Sequence, residues 1–251
     1  MKKRILLTGA AGGIGSAFFR AEVERYTFRL TDRDPASLAE IAGSEHEVFP
    51  LEIGDLDACQ RACRDIDTVV HLAADPDPDA DFYGSLLNDN IKGTYNVFQA
   101  ARDQGCGRVI FASSGQVVAG YADEVQAHPE TQVRPMNMYG VSKCFGEAVA
   151  AYFAHAEGLS SIAIRIGAYD ANLEHANRLG PEPGPVYLSV YVSPRDLNHL
   201  LVQCIETPDV PFAIVHGISN NRFKRLDLTS TRDLLGYAPQ DDAFEIFKDA
   251  T

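Results

Sequence analysis

Thr8-Gly9-Ala10-Ala11-Gly12-Gly13-Ile14-Gly15 follows the apolar run Arg4–Thr8 and precedes Ile14–Arg25, whose apolar residues recur at helical spacing. A short apolar run, a glycine-rich turn and an amphipathic helix make a strand–turn–helix unit. The glycines fall at i, i+3 and i+6. Gly9 permits the tight turn, Gly12 lets backbone approach a pyrophosphate, and Gly15 lets the helix pack close to the strand. The N–H groups around Ala11, Gly13 and Ile14 then sit at the positive end of the helix, where an anion is stabilised. Asp32 ends the next strand-like run. A carboxylate there accepts hydrogen bonds from adenosine ribose hydroxyls and repels a 2′-phosphate, so the unit predicts NAD in preference to NADP. Arg33, next in sequence, softens that preference, because an arginine accommodates a 2′-phosphate.

Outward from this unit the same alternation continues. Strands are expected at Thr27–Thr31, Glu47–Leu51, Thr68–Leu72, Arg108–Ala112 and Ser161–Ile166. Helices are expected at Pro35–Ala42, Leu56–Arg64, Leu86–Gln104 and Asn137–Ala156. Strands alternating with helices predict an α/β fold: a Rossmann-type, doubly wound parallel sheet with helices on both faces. Residues 1–167 read as the nucleotide-binding part. Residues 168–251 read as a small substrate-binding cap interleaved with the sheet, because 168–192 are rich in Pro, Gly and Asn. A helix at Arg195–Glu206, a strand at Phe212–His216 and a helix near Thr231–Leu235 follow.

Composition sets limits. The chain has 251 residues, 45% hydrophobic and 23% charged, which suits a globular domain with a sizeable core. A net charge of −13 argues against nucleic acid, which needs a positive footprint. No run approaches the roughly 18 apolar residues of a membrane span. Met1–Leu7 resembles the start of a signal peptide, but the apolar stretch stops at Thr8-Gly9 without a cleavage site, so a first strand and a cytoplasmic location are expected. Five scattered cysteines give no disulfide framework. Cys59 and Cys63 share a helix face, but no second pair with ligand spacing accompanies them, so no metal is expected.

Tyr139-Gly140-Val141-Ser142-Lys143 carries the chemistry. The i, i+4 spacing puts phenol and ammonium on one helix face. A nearby ammonium favours the phenolate and lowers the tyrosine pKa from about 10, which makes Tyr139 a usable general base. Ser113 and Ser114 end a strand at its carboxyl edge, where open α/β sheets bind ligands. A serine hydroxyl there orients a reacting oxygen toward Tyr139.

Together these motifs resemble the extended short-chain dehydrogenase/reductase family, also called the NAD-dependent epimerase/dehydratase family. The resemblance covers nearly the whole chain. It also rests on His71-Leu72-Ala73-Ala74 and on Asn90-Ile91-Lys92-Gly93-Thr94. It implies Ser114, Tyr139 and Lys143 as the catalytic set, with Lys143 also holding the nicotinamide ribose. It implies that Leu72, Ala73, Ala74, Asn90, Ala112 and Ile166 join the glycine turn, Asp32 and Arg33 around NAD. Glu52-Ile53 stands where many members have Asp-Leu or Asp-Ile beside the adenine.

The short stretch after the sixth strand is similar to the compact branch of the family. That branch includes uronate dehydrogenases and archaeal NAD-dependent glucose-6-phosphate dehydrogenases. Tyr139–Glu147, Arg165–Gly167 and Leu235–Pro239 carry this likeness, and His71–Pro76 and Val215–Asn220 look nearest the glucose-6-phosphate type. The branch implies oxidation of a sugar (aldose, aldose phosphate or hexuronate) at C1 to its lactone. Asp75, Ser113, Ser114, Gly115, Gln116, Tyr139 and Arg178 are the candidate substrate residues, Arg178 as the nearest cationic substitute for the arginine that branch places on a uronate carboxylate. Two departures bear on a uronate. Gly115-Gln116 replaces an Asn-His that helps hold the sugar, and Val186–Ser189 stands where an arginine for the carboxylate is expected. The acidic run Asp75–Asp81, if it faced the pocket, would disfavour anionic sugars. The rival readings are a nucleotide-sugar epimerase or dehydratase with tightly bound NAD, and a redox-sensing regulator on the same fold. The resemblance also implies a homodimer through the two long helices.

Overall fold

The computed structural model describes residues 2–43, 46–169 and 184–248. In chain order β1 (Arg4–Thr8), α1 (Gly13–Glu22), β2 (Thr27–Asp32), α2 (Pro35–Ala42) and β3 (Glu47–Pro50) form the first half. Then come α3 (Leu56–Cys63), β4 (Thr68–His71), a π-helical segment (Phe82–Gly93), α4 (Thr94–Asp103) and β5 (Arg108–Ser114). A 3-10 turn (Gly115–Val118), α5 (Met138–Glu157), β6 (Ser160–Ile166) and β7 (Ala168–Tyr169) follow. The chain closes with α6 (Pro185–Val190), β8 (Tyr191–Val192), α7 (Pro194–Glu206), β9 (Phe212–Gly217), α8 (Thr229–Leu235) and α9 (Ala243–Ile246).

Seven strands form one parallel sheet in the order β3-β2-β1-β4-β5-β6-β9. The central strands are continuous apolar runs because both faces are covered. Phe18, Phe28 and Leu200 belong to the core on one face, under α1 and α7. Ala62, Val97, Phe98 and Phe153 belong to the core on the other, under α3, α4 and α5. The chain winds outward from β1 through β2 to β3, then returns to β4 on the far side of β1. That reversal opens a crevice at the carboxyl ends of β1 and β4, the place where such sheets bind ligands.

The expected elements are all present, with shifted ends. α1 stops at Glu22 rather than Arg25, because the N–H groups of Arg25 and Tyr26 both donate to Glu22 O and turn the chain into β2. The long helix expected from Leu86 begins at Phe82 instead, and its first part is π-helical. Asp81 from the acidic run caps it, accepting the N–H of Gly84. Within the Pro/Gly-rich stretch, Pro185 stands in the first turn of the unexpected helix α6, where its missing N–H costs nothing. β8 after it pairs with β7. The segment after Gly167 also supplies β9 to the main sheet. Cys59 and Cys63 both face the core, and all five cysteines are free thiols. Among the described residues no helix is long and apolar enough to cross a membrane.

Candidate active site

The crevice is a cavity of about 1500 Å³ running from Asp32 and Arg33, along the glycine turn, to Ser114, Tyr139 and Lys143. Gly9 has φ +69°, the left-handed region, and a Cβ on it would lie 2.8 Å from Ala73 N. A Cβ on Gly15 would lie 2.8 Å from Ala10 Cα, so α1 packs against the turn as closely as the spacing predicts. Gly12 N donates to Gly9 O at 3.1 Å and closes the turn. α1 begins without a side-chain cap, which leaves first-turn N–H groups for an anion.

Asp32 is held by backbone. Its Oδ2 accepts from Ala11 N at 3.2 Å and its Oδ1 from Arg33 N at 2.8 Å. Ala11 therefore serves Asp32 and does not line the cavity, whereas Gly9, Gly12, Gly13, Ile14 and Gly15 do. Leu51, Ile53 and Leu72 add an apolar wall, with Ala73, Ala74, Ala112 and Ile166 further along. Glu52 departs from expectation. Its Oε1 accepts from Gly54 N at 3.1 Å and from Asn88 Nδ2 at 3.5 Å, so its carboxylate serves a loop and does not line the cavity. The uncapped helix end, the close turn and the fixed Asp32 fit the parts of a dinucleotide.

Asn90 also sits behind the wall. Its Nδ2 donates to Asp75 O and to Ser142 Oγ, both at 3.0 Å, and its Oδ1 accepts from Asp75 N at 2.8 Å. Ser142 Oγ donates in turn to Tyr139 O at 2.7 Å. Asn90 thus ties the loop after β4 to the first turn of α5. Asp75 does not line the cavity either; Pro76, Asp77, Pro78 and Asp79 do. The acidic run therefore reaches the cavity through the residues after Asp75. Asp75 Oδ1 accepts from Asp77 N at 3.0 Å, which turns the loop.

The two serines separate. Ser114 hydrogen-bonds the Tyr139 phenol. Ser113 also lines the cavity, but it is buried and its hydroxyl donates to Glu147 Oε1 at 2.6 Å. Glu147 is held by Arg165 through a two-pronged pair at 2.8 and 2.9 Å. This buried pair joins α5 to β6 beneath β5, and sequence spacing gave no sign of it. Asn137 was missed as well. It caps α5 by accepting from Gly140 N at 2.7 Å, and its Nδ2 donates to Gln116 Oε1 at 3.2 Å. An Asn just before a helix is a readable cap signal. Gly115 and Gln116 line the cavity. Tyr187 and Arg225 line it too, without having been expected. Arg178 lies outside the described residues.

The electrostatics differ from the simple expectation. Lys143 is buried, with Nζ 5.4 Å from the centre of the Tyr139 ring and 5.2 Å from that of Phe111. Burial pushes its pKa down to about 8. Burial also raises the Tyr139 phenol above its ordinary value, opposed by the Ser114 hydrogen bond and reinforced by the Asp75 charge. In the free protein, then, the Ser114 hydrogen bond favours the phenolate and burial opposes it. His71 lies below, its Nδ1 2.8 Å from Thr8 Oγ1. Burial, and secondarily the Lys143 charge, pushes it down to about 3, so it stays neutral.

The sequence matches the family described as NAD dependent epimerase/dehydratase family over residues 5–169. It is 36% identical to the NAD-dependent glucose-6-phosphate dehydrogenase of Haloferax volcanii, over 98% of this chain and 96% of that protein. It is 35% identical to the L-arabinose 1-dehydrogenase (NAD(P)(+)) of the same organism, over 96% and 97%. In structure it resembles a mutant uronate dehydrogenase from Agrobacterium tumefaciens complexed with NAD. The TM-score is 0.85 at 31% identity, covering 99% of this chain and 88% of that one.

Proposed function

The chain belongs to the NAD dependent epimerase/dehydratase family, and from that premise we propose that it oxidises a sugar at C1 to the lactone, with NAD as the oxidant and Tyr139 as the base. One observation carries this reading: Ser114, Tyr139 and Lys143 converge at one end of the cavity whose other end holds Asp32 and the glycine turn. Relatives similar over nearly their whole length are sugar dehydrogenases, which favours net oxidation over epimerisation.

NAD, when bound, supplies the acceptor for the hydride leaving C1 and a positive charge beside the site. Ser114 and Tyr139 hold the anomeric hydroxyl. Tyr139, as phenolate, takes its proton as the C1–O bond becomes a carbonyl. Lys143 holds the nicotinamide ribose, and Asn90 and Asn137 hold the first turn of α5 so that Tyr139 meets the sugar in a fixed pose. Because burial raises the phenol's pKa, the phenolate fraction and hence the rate rise toward alkaline pH.

At the sugar end the described walls suit an uncharged aldose. Asp77 and Asp79 offer acceptors to sugar hydroxyls. The Arg225 guanidinium is engaged by Tyr121 O at 2.5 Å and lies 3.4 Å from Asp123 Oδ1. The test is a screen for NADH absorbance across neutral aldoses, aldose phosphates and hexuronates. Release of NADH with at least one sugar is expected. Retained NAD with no net NADH from any of them would favour the epimerase. We also infer a cytoplasmic homodimer. Tyr83, Leu87, Tyr95, Val141 and Tyr152 lie exposed along the π-helical segment, α4 and α5, and a dimer mass in light scattering checks it.

A further inference from the structure

Asp32 and Arg33 give opposite instructions about the adenosine 2′ position, one repelling a phosphate and the other accommodating it. A third residue decides between them. Arg33 Nη1 lies 3.1 Å from Oδ2 of Asp89, which stands on the π-helical segment 56 residues further along the chain. The Asp89 side chain is 7% exposed and that of Arg33 64%. Asp89 Oδ1 also accepts from Asn88 Nδ2 at 3.1 Å. All three charged residues line the same end of the cavity. Asp89 has no part in the chemistry at Tyr139.

A buried carboxylate is costly unless paired, so Asp89 holds whichever cation reaches it. That cation is Arg33. A 2′-phosphate placed beside Asp32 would meet two carboxylates, and it would have to draw Arg33 off Asp89 to gain a charge-assisted bond. We propose that Asp89 is a cofactor-specificity residue: it holds the Arg33 guanidinium away from the 2′ position and makes the chain discriminate against NADP. This rests on the reading of the cavity as a dinucleotide site.

The test is titration of NADH and NADPH, followed by the emission of the reduced nicotinamide; the chain contains no tryptophan to interfere. Wild type binds NADH more tightly. Asp89→Asn narrows the NADPH/NADH gap by on the order of tenfold, and adding Arg33→Ala to it abolishes that gain. Arg33→Ala alone, at an exposed position, leaves the ratio unchanged within about twofold. The proposal is overturned if Asp89→Asn binds NADH with an unchanged ratio, or if Arg33→Ala alone selectively weakens NADPH. If wild type binds neither nucleotide, the dinucleotide reading falls and takes the proposal with it.

Discussion

The two ends of the cavity are built differently. Around the glycine turn the groups are mostly backbone: an uncapped helix end, a turn closed by Gly12 N to Gly9 O, and a carboxylate fixed by two N–H groups. Around Tyr139 they are side chains, each aimed by another behind it. Asn90 and Ser142 hold the first turn of α5, Asn137 caps it, and Glu147, held by Arg165, takes the Ser113 hydroxyl. A backbone site depends on where glycines fall. A side-chain site depends on a supporting layer, and damage there propagates to the chemistry.

The largest effect expected from breaking this contrast is at the reacting end. Tyr139→Phe is expected to lower kcat by roughly 10²–10⁴-fold, the scale of general base catalysis, while NADH affinity changes by only a few-fold. Steady-state rates beside a nucleotide titration separate the two. An equal fall in both would mean that the ends are not independent.

The supporting layer comes next. Glu147→Ala leaves the Arg165 guanidinium, 1% exposed, without its partner. Removing one member of a buried pair costs about 3–5 kcal/mol. Denaturant unfolding is expected to show that loss, and a change below about 1 kcal/mol would remove the pair from the account.

The smallest effect concerns Lys143. Its folded pKa of about 8 lies below the ordinary lysine value. Between the two, the unfolded chain binds more protons, so this group's contribution to stability rises with pH. Between pH 7.5 and 9.5 the stability of wild type relative to Lys143→Met is expected to rise by about 2 kcal/mol. A flat or falling difference in paired denaturation curves would contradict burial of the charge.

The contrast also explains what the sequence reveals. The glycine turn, Asp32 and the Tyr139–Lys143 spacing are local, and local spacing survives in the linear chain. The parallel sheet was legible for the same reason, each strand being marked by a short apolar run and each helix by its own apolar spacing. Ser113 and Ser114 look equivalent until Glu147, 34 residues away, engages one of them. Glu52 and Asp75 have the right chemistry near the right strands, but loop hydrogen bonds turn them from the cavity. The π-helical start of the long helix was hidden because apolar spacing does not distinguish its wider turns. Helix α6 was hidden by the Pro and Gly around it, although Pro in a first turn favours a helix.

The most direct measurement follows the hydrogen itself. A C1-deuterated sugar that the protein oxidises is incubated with NAD, and the released cofactor is examined by NMR. Deuterium is expected at nicotinamide C4 of free reduced cofactor, in equal amount to the lactone formed. Deuterium kept in the sugar, with no reduced cofactor released, would contradict it.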